Sequence, residues 1–275
     1  MSKNRRAVLL VVLVFLITIF FYWQYFEKQK YNFKVVFFDV GQGDAAFINF
    51  SNGKKALVDC GPNAMILSKL GNQLPFYDRK IDYLIITHPD LDHYGGCLDV
   101  LENYQVENII ENGDEKKGDP YWREWDRLVK EEKARRLILT KEIRFDFGNE
   151  KIKFFFPNPS FSNLEGNSRS LVFKLVTLQS SFLFMGDAEY ILEEALLQKY
   201  EGADFKSDYL KIGHHGSDSS TSDELLEAVR PKVAVVSVGK NKFGHPSLRV
   251  LRKLERANAD VWRTDVRYDI IIKED

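Results

Sequence analysis

The stretch Thr87-His88-Pro89-Asp90-Leu91-Asp92-His93-Tyr94-Gly95-Gly96 limits what this chain can become more than any other. It places two imidazoles and two carboxylates within six residues, directly after the run Ile81 to Ile86. That run is short, β-branched and flanked by charge, so it reads as a buried strand with the His/Asp cluster in the loop at its carboxyl end. Asp and His also serve as turn and capping residues, and one of each here would be ordinary. All four at this spacing, closed by Gly-Gly, point instead to metal ligands. The chain has five histidines, and the other three are His214 and His215 in Lys-Ile-Gly-His-His-Gly-Ser and His245 in Phe-Gly-His-Pro. All five fall in such motifs, three of them adjoining a glycine and most following apolar runs, which argues that they converge on one site.

At 275 residues the chain has room for one large domain or two small ones, and 44% apolar content is ample for a core. Its net charge is −1. No global basic field advertises nucleic acid, so binding to an anionic polymer depends on local patches or on metal.

The amino terminus is a separate object. Lys3, Arg5 and Arg6 precede residues 7–26, an uncharged run long enough to cross a bilayer and ending in Tyr22, Trp23 and Tyr25. Residues 1–30 are therefore expected to form a short tail and a transmembrane helix, with residues 31–275 as the folded domain. A cleaved secretory signal is the competing reading, but the run lacks a small-x-small cleavage pattern. Basic residues ahead of the span would keep the tail in the cytoplasm and place residues 27–275 outside, although Lys28, Lys30 and Lys34 follow it. Cys60 and Cys97 flank motifs and neither prove nor exclude an oxidising compartment; spacing alone leaves open whether they pair, and as free thiols packed near strand ends they would need no special role.

Beyond residue 31 the pattern begins strand, turn, strand, strand, with Gly41 and Gly43 allowing a tight first turn and Asp39 and Asp44 available as turn or capping residues. After the cluster, residues 97–104 read as a helix and 106–111 as a strand. Residues 114–136 read as an amphipathic helix with Tyr121, Trp122 and Trp125 in the core; a flap facing substrate is the alternative. Strand-like runs follow at 136–139, 143–147, 152–156, 171–177 and 181–184. Helices at 190–200, 223–229 and 248–257 then alternate with strands at 209–212 and 233–238, and a strand at 268–272 closes the chain. Such a mixture fits two sheets packed face to face and flanked by helices.

Several pieces occur in order: Phe38-Asp39-Val40-Gly41-Gln42-Gly43-Asp44-Ala45, Leu57-Val58-Asp59-Cys60-Gly61, the His/Asp cluster, Asn167-Ser168-Arg169-Ser170-Leu171-Val172, Phe184-Met185-Gly186-Asp187, His214-His215-Gly216-Ser217, Gly244-His245-Pro246 and Trp262-Arg263-Thr264-Asp265. Together they resemble the metallo-β-lactamase superfamily and, within it, the soluble domain of the ComEC family of competence DNA-uptake proteins. The resemblance implies an α+β or α/β fold, a four-layer αβ/βα sandwich. It also implies a two-metal site: His88 and Asp90 on one ion, Asp92 and His93 on the other, Asp187 bridging, and His215 completing the second, with His214 beside it. Asp59 would steady a ligand loop from behind, as carboxylates do for metal-bound imidazoles. Position 90 is Asp where many superfamily hydrolases carry a second histidine, and the histidine of the third motif is absent, with Asn167 nearest. Both changes make the first site oxygen-rich, favouring Mn²⁺ or Mg²⁺ over Zn²⁺ there, and at least one held ion, Zn²⁺ or Mn²⁺, is expected. Near the end, Arg267-Tyr268-Asp269 stands where the family turn usually includes glycine, which leaves the role of Asp265 open.

A dinuclear centre suits phosphodiester hydrolysis better than amide cleavage, and the resemblance points to DNA. Asp92, His214 and His245 are the candidate catalytic groups, with His245 as general acid or phosphate holder. Asn167, Ser170, Ser217 and Asn241 are candidates for substrate contact. The leading expectation is a membrane-tethered, externally facing phosphodiesterase or nuclease. With one span it cannot itself be a channel, but it has the option of partnering one. The alternatives are a surface hydrolase of a smaller ester, such as phosphorylcholine on cell-wall polymers, and a non-catalytic metal- or DNA-binding module. The sequence leaves the oligomeric state open.

Overall fold

The computed structural model describes residues 3–30, 32–155 and 164–274. Among these residues, fourteen short strands build two seven-stranded sheets. The first sheet holds β1 (Lys34–Phe37), β2 (Ala46–Asn49), β3 (Lys55–Val58), β4 (Lys80–Ile85), β5 (Gln105–Glu111), β6 (Arg135–Ile138) and the last strand, β14 (Ile270–Lys273), in the order β14-β1-β2-β3-β4-β5-β6. The second holds β7 (Ile143–Asp146), β8 (Lys151–Phe155), β9 (Val172–Val176), β10 (Ser181–Phe184), β11 (Tyr209–Lys211), β12 (Val233–Val236) and β13 (Asp260–Arg263), in the order β13-β12-β11-β10-β9-β8-β7.

Apolar side chains on both faces of the strands dictate how these sheets are covered. Val35, Phe37 and Ile48 of the first sheet meet Phe173, Leu175 and Phe184 of the second in a buried inter-sheet core. The Phe37 and Phe184 rings stack there at 5.5 Å. Outer faces that are equally apolar must be capped by helices. Helices α2 (Met65–Gln73), α4 (Cys97–Asn103) and α5 (Pro120–Glu132) do this on one side, with Ile66, Leu70, Val100, Trp122 and Trp125 packed against Val36, Leu57, Leu84 and Ile109. On the other side α6 (Tyr190–Lys199), α8 (Asp223–Val229) and α9 (Leu248–Arg256) bring Leu192, Leu196, Val229, Val250 and Leu254 onto Leu183, Leu210 and Val236. The expected four layers, helix–sheet–sheet–helix, are therefore present.

Each sheet is antiparallel in one half and parallel in the other. Strands β3, β4, β5 and β6 run parallel, as do β10, β11, β12 and β13. Loops leaving the carboxyl ends of parallel strands are the usual place for a ligand site. Asp59 follows β3, the His/Asp cluster follows β4, Asp187 follows β10, and His214 and His215 follow β11.

The pairing that the sequence left open is settled: the Cα atoms of Cys60 and Cys97 are 5.2 Å apart and the two form a disulfide. Other expectations need correction. Tyr121 is exposed, because the helix over 114–136 is confined to α5 and its buried face is Trp122, Trp125, Leu128 and Val129. Asp119 accepts from the backbone N–H groups of Tyr121 and Trp122 and starts that helix with Pro120 at its first turn. Helix α2 and strand β13 were absent from the sequence pattern. Phe156, placed in a strand by that pattern, lies outside the described residues. Lys3–Lys30 is one helix, α1, whose side chains at 10–22 are described and all exposed. Among the described residues no helix is long and apolar enough to cross a membrane. Most side chains of the expected anchor outside 10–22 lie beyond what is described.

Candidate metal centre

Three buried imidazoles are each held from behind, and each turns its Nε2 toward one spot. Asp59 accepts from the Thr87 backbone N–H at 2.8 Å and the Thr87 hydroxyl at 2.7 Å, and its Oδ2 stands 2.9 Å from His93 Nδ1. With its proton given to Asp59, the Thr87 hydroxyl accepts from His88 Nδ1 at 3.2 Å. His215 Nδ1 donates to the Ser237 carbonyl at 2.9 Å. These partners occupy the Nδ1 atoms and leave every Nε2 facing forward, where it can offer a lone pair to a cation once it gives up its proton.

Asp187 receives them. Its Oδ1 is 3.3 Å from His93 Nε2, and its Oδ2 is 3.6 Å from His215 Nε2 and 3.9 Å from His88 Nε2. Asp92 adds Oδ2 at 3.2 Å from His215 Nε2. Potential donor atoms of His88, His93 and Asp187 lie within 4.8 Å of one another, as do those of Asp92, His93 and His215 and of Asp44, Asp187 and His215. His88 Nε2, His93 Nε2 and Asp187 Oδ1 are buried and hydrogen-bonded to nothing among the described residues. Buried polar atoms without partners are costly, and a divalent cation taking nitrogen and oxygen ligands would satisfy all three. The residues present therefore fit the expected metal.

The charges are arranged to match. Burial opposes ionisation of Asp187, but His93 and His215 outweigh it and hold the carboxyl well below the usual carboxylate range. Burial likewise works against charge on His93, yet Asp187 and Asp59 raise it well above the ordinary imidazole value. His215 is raised to about 10, since Asp187 and Asp44 overcome its burial. Asp92 is lowered despite burial, mainly by the hydrogen bond from His215.

Asp90 sits at the rim. Its Oδ2 is 3.5 Å from His88 Nε2, while its Oδ1 carries Lys116 Nζ at 2.5 Å. His88 first, and then Lys116, overcome its partial burial and keep it below the usual carboxylate range. His215 rather than His214 belongs to the buried cluster: His214 is about a quarter exposed, with Nδ1 3.2 Å from Glu189 Oε1 and Asn167 Nδ2 3.3 Å from its ring nitrogens. Both histidines have positive φ, 45° and 51°, which lets the adjacent rings diverge by 65°. Such backbone is uncommon away from glycine and gathers at functional sites.

The other expected residues divide. Asp44 lies under the centre, with Oδ1 3.3 Å from His215 Nδ1 and Oδ2 2.5 Å from the buried Lys211 ammonium. Despite burial, Lys211 and then His215 bring it down to about 2. Gly43 is required beside it, because at φ +147° a Cβ there would stand 2.4 Å from the Asp92 carbonyl oxygen. Asp39 is remote, closing the turn at Gly41. Ser170 accepts from the Asp187 backbone N–H at 3.1 Å, so it positions the carboxylate. Ser217 pairs with Ser219, and Asn241 is spent on backbone groups of its own loop. His245 stands with its ring 5.4 Å from that of His214, its Nδ1 buried and without a partner among the described residues. Burial, with His214 and His215 nearby, lowers its pKa.

Thr87, Glu189, Lys211 and Lys116 escaped the sequence reading. Lys211 had a signal, a lone cation in the apolar run Tyr-Leu-Lys-Ile, and Glu189 follows Asp187 by two residues. Thr87 and Lys116 had none.

Two seven-stranded sheets with clustered His and Asp at the ends of their parallel strands define a metallohydrolase-type αβ/βα sandwich. Residues 38–240 match the Metallo-beta-lactamase superfamily, and the chain belongs to it. It is 31% identical over 252 residues to ComE operon protein 3 of Bacillus subtilis, covering 82% of this chain and 31% of that protein. Similarity to Recombination protein 2 of Haemophilus influenzae is also 31%, over 87% of this chain and 29% of the relative. Competence protein ComA of Neisseria gonorrhoeae is 30% identical over 84% of this chain and 31% of its own. The chain thus spans about a third of the length of these relatives. Among solved structures, Tm1679, a metal-dependent hydrolase of the β-lactamase superfamily, aligns with TM-score 0.54 at 13% identity, over 88% of this chain and all of that one. Human tRNase Z, short form, aligns at 0.54 and 16%, over 87% and 98%. At these identities the likeness is one of fold.

Proposed function

We propose that the chain is a metal-dependent phosphodiesterase acting on DNA, held to a membrane by residues 7–26 with residues 31–275 on the outer side. The observation that carries the catalytic part is the convergence of His88, His93 and His215 Nε2 with Asp187 and Asp92 from both sheets, with His88 Nε2, His93 Nε2 and Asp187 Oδ1 buried and without hydrogen-bond partners among the described residues. Similarity to competence proteins directs the reading to DNA. The anchor reading rests on the uncharged run inside α1, and the Cys60–Cys97 disulfide suits an oxidising compartment.

His88, His93, His215, Asp92 and Asp187 would hold one or two divalent ions, Zn²⁺ or Mn²⁺, with Asp90 available on the His88 side. A cation so held polarises phosphoryl oxygens and lowers the pKa of an attacking water. The chain's own part is to orient. Asp59, Thr87 and the Ser237 carbonyl hold the imidazoles, and Ser170 holds the Asp187 backbone. His214, aligned by Glu189, faces the open side and can take up a proton from water or substrate. His245 is neutral at pH 7, so it serves as a hydrogen-bonding partner of a phosphate oxygen rather than as a stored proton.

The test is turnover by the purified protein on single- and double-stranded DNA, with and without Mn²⁺ or Zn²⁺. Metal-dependent cleavage abolished by Asp92→Ala, with folding retained, supports the reading. Hydrolysis of phosphorylcholine esters but not DNA would transfer the assignment to a smaller substrate. Unchanged DNA binding with no turnover in either form would leave a binding module.

A further inference from the structure

The loop from Gly239 to His245 projects an aromatic ring out of the active-site rim, and the metal chemistry makes no use of it. Phe243 is 63% exposed. Its ring stands 5.7 Å from that of His245 at 30°, and His245 stands 6.5 Å from His215 at 29°. Three rings, each tilted by about 30° from the next, thus step outward from the buried centre. A lone exposed Phe is unremarkable, but this one is held in place. Asn241 donates to the carbonyls of Gly239 and His245 and accepts from the backbone N–H groups of Phe243 and His245, stapling the loop across its base. Gly244, at φ +79°, makes the turn that follows.

Charge supplies an independent observation. Exposed Lys240, Lys242, Arg249 and Arg252 lie on this loop and the following helix, and none forms an ion pair among the described residues. In a chain of net charge −1, four unpaired cations beside an outward ring make a local basic, aromatic surface. Lys242 Nζ stands 5.7 Å from the centre of the Phe243 ring.

We propose that the loop 239–245 is a base-stacking lip for single-stranded nucleic acid. Phe243 receives the face of a base near the scissile phosphate, and Lys240, Lys242, Arg249 and Arg252 follow the backbone beyond it. A duplex keeps its base faces stacked inside and cannot offer one to Phe243, so the lip selects single strands or frayed ends. The proposal rests on the phosphodiesterase reading and names the form of its substrate.

The test is fluorescence anisotropy of the full chain in detergent, metal removed by chelation, with a short oligothymidylate and an abasic oligonucleotide of equal length. Wild-type protein is expected to bind oligothymidylate more tightly. Phe243→Ala loses that preference and weakens oligothymidylate binding by on the order of tenfold, while Phe243→Trp keeps it. Lys240→Ala with Lys242→Ala weakens both ligands alike and flattens the salt dependence. Circular dichroism and melting of Phe243→Ala match wild type, since the ring is exposed. Equal binding of both oligonucleotides by wild type, or an unchanged preference in Phe243→Ala, overturns the lip; Mn²⁺-dependent DNA cleavage then still stands as evidence for the enzyme. Absence of both binding and cleavage of any polynucleotide overturns the lip and the enzyme reading together.

Discussion

Asp59 Oδ2 stands 2.9 Å from His93 Nδ1, so a carboxylate at the end of one strand sets the direction of an imidazole from the next loop. Asp59 itself has φ +54° and is all but inaccessible to solvent. Replacing it by Asn keeps the volume but removes the charge that orients and enriches the ring. Asp59→Asn is therefore expected to weaken divalent-cation binding by roughly 10–100-fold. Calorimetric titration checks this, and an unchanged dissociation constant would remove Asp59 from the site.

The disulfide joins the residue after Asp59 to the first residue of α4, across a separation of 37 residues. The Cys60 backbone N–H also donates to the His93 carbonyl at 2.7 Å, so the crosslink braces the loop that carries the candidate ligands. Cys60→Ala with Cys97→Ala should lower the unfolding free energy by roughly 2–5 kcal/mol. Denaturant titration with and without reductant measures it. If reductant leaves the wild-type midpoint in place, the crosslink is not a brace.

Loading the centre should expel protons. His93 and His215 have raised pKa values, the latter about 10, so both are protonated at pH 7 in the cation-free pocket. A cation needs their neutral Nε2 atoms. Proton competition is thus strong below the folded pKa values and fades as pH rises through them, so apparent affinity should climb from pH 6 towards pH 9. Titration in buffers of differing ionisation enthalpy reads the protons directly. No net release at pH 7 would contradict the raised values.

Tyr268 occupies φ +60°, ψ −141°, a region that favours glycine, and its side chain is 73% exposed. The strain costs about 1–3 kcal/mol, while an exposed ring gives little back. Tyr268→Gly should accordingly stabilise the fold by about 1 kcal/mol, after the greater chain entropy of glycine is set against the relief. A lower melting temperature would mean that the ring packs on something of value.

The sequence made the candidate ligands easier to read than the groups that hold them. His88, Asp92, His93, Asp187 and His215 stand out because charged and imidazole groups at the ends of apolar runs have few structural uses. Their supports do not, since Thr87, the Ser237 carbonyl and Lys211 act through positions that only folding creates. Helix α2 escaped because it is short, holds a glycine and buries only Ile66 and Leu70. Strand β13, at a sheet edge and fully buried nowhere, lacks the alternation that marks a half-buried strand. The cysteine pairing was hidden because 37 residues of separation say nothing about distance. Tyr121 misled because neighbouring aromatics were taken as one face, although adjacent helix positions point about 100° apart.

His88, Asp92 and His93 hang from one sheet and Asp187 and His215 from the other, across an inter-sheet layer made of oily side chains. Such contacts are non-directional and tolerate small slippage between layers, whereas coordination distances must hold within about 0.2 Å. A substitution deep in that layer, far from any histidine, can therefore leave the silhouette of the protein intact and still put its chemistry out of register.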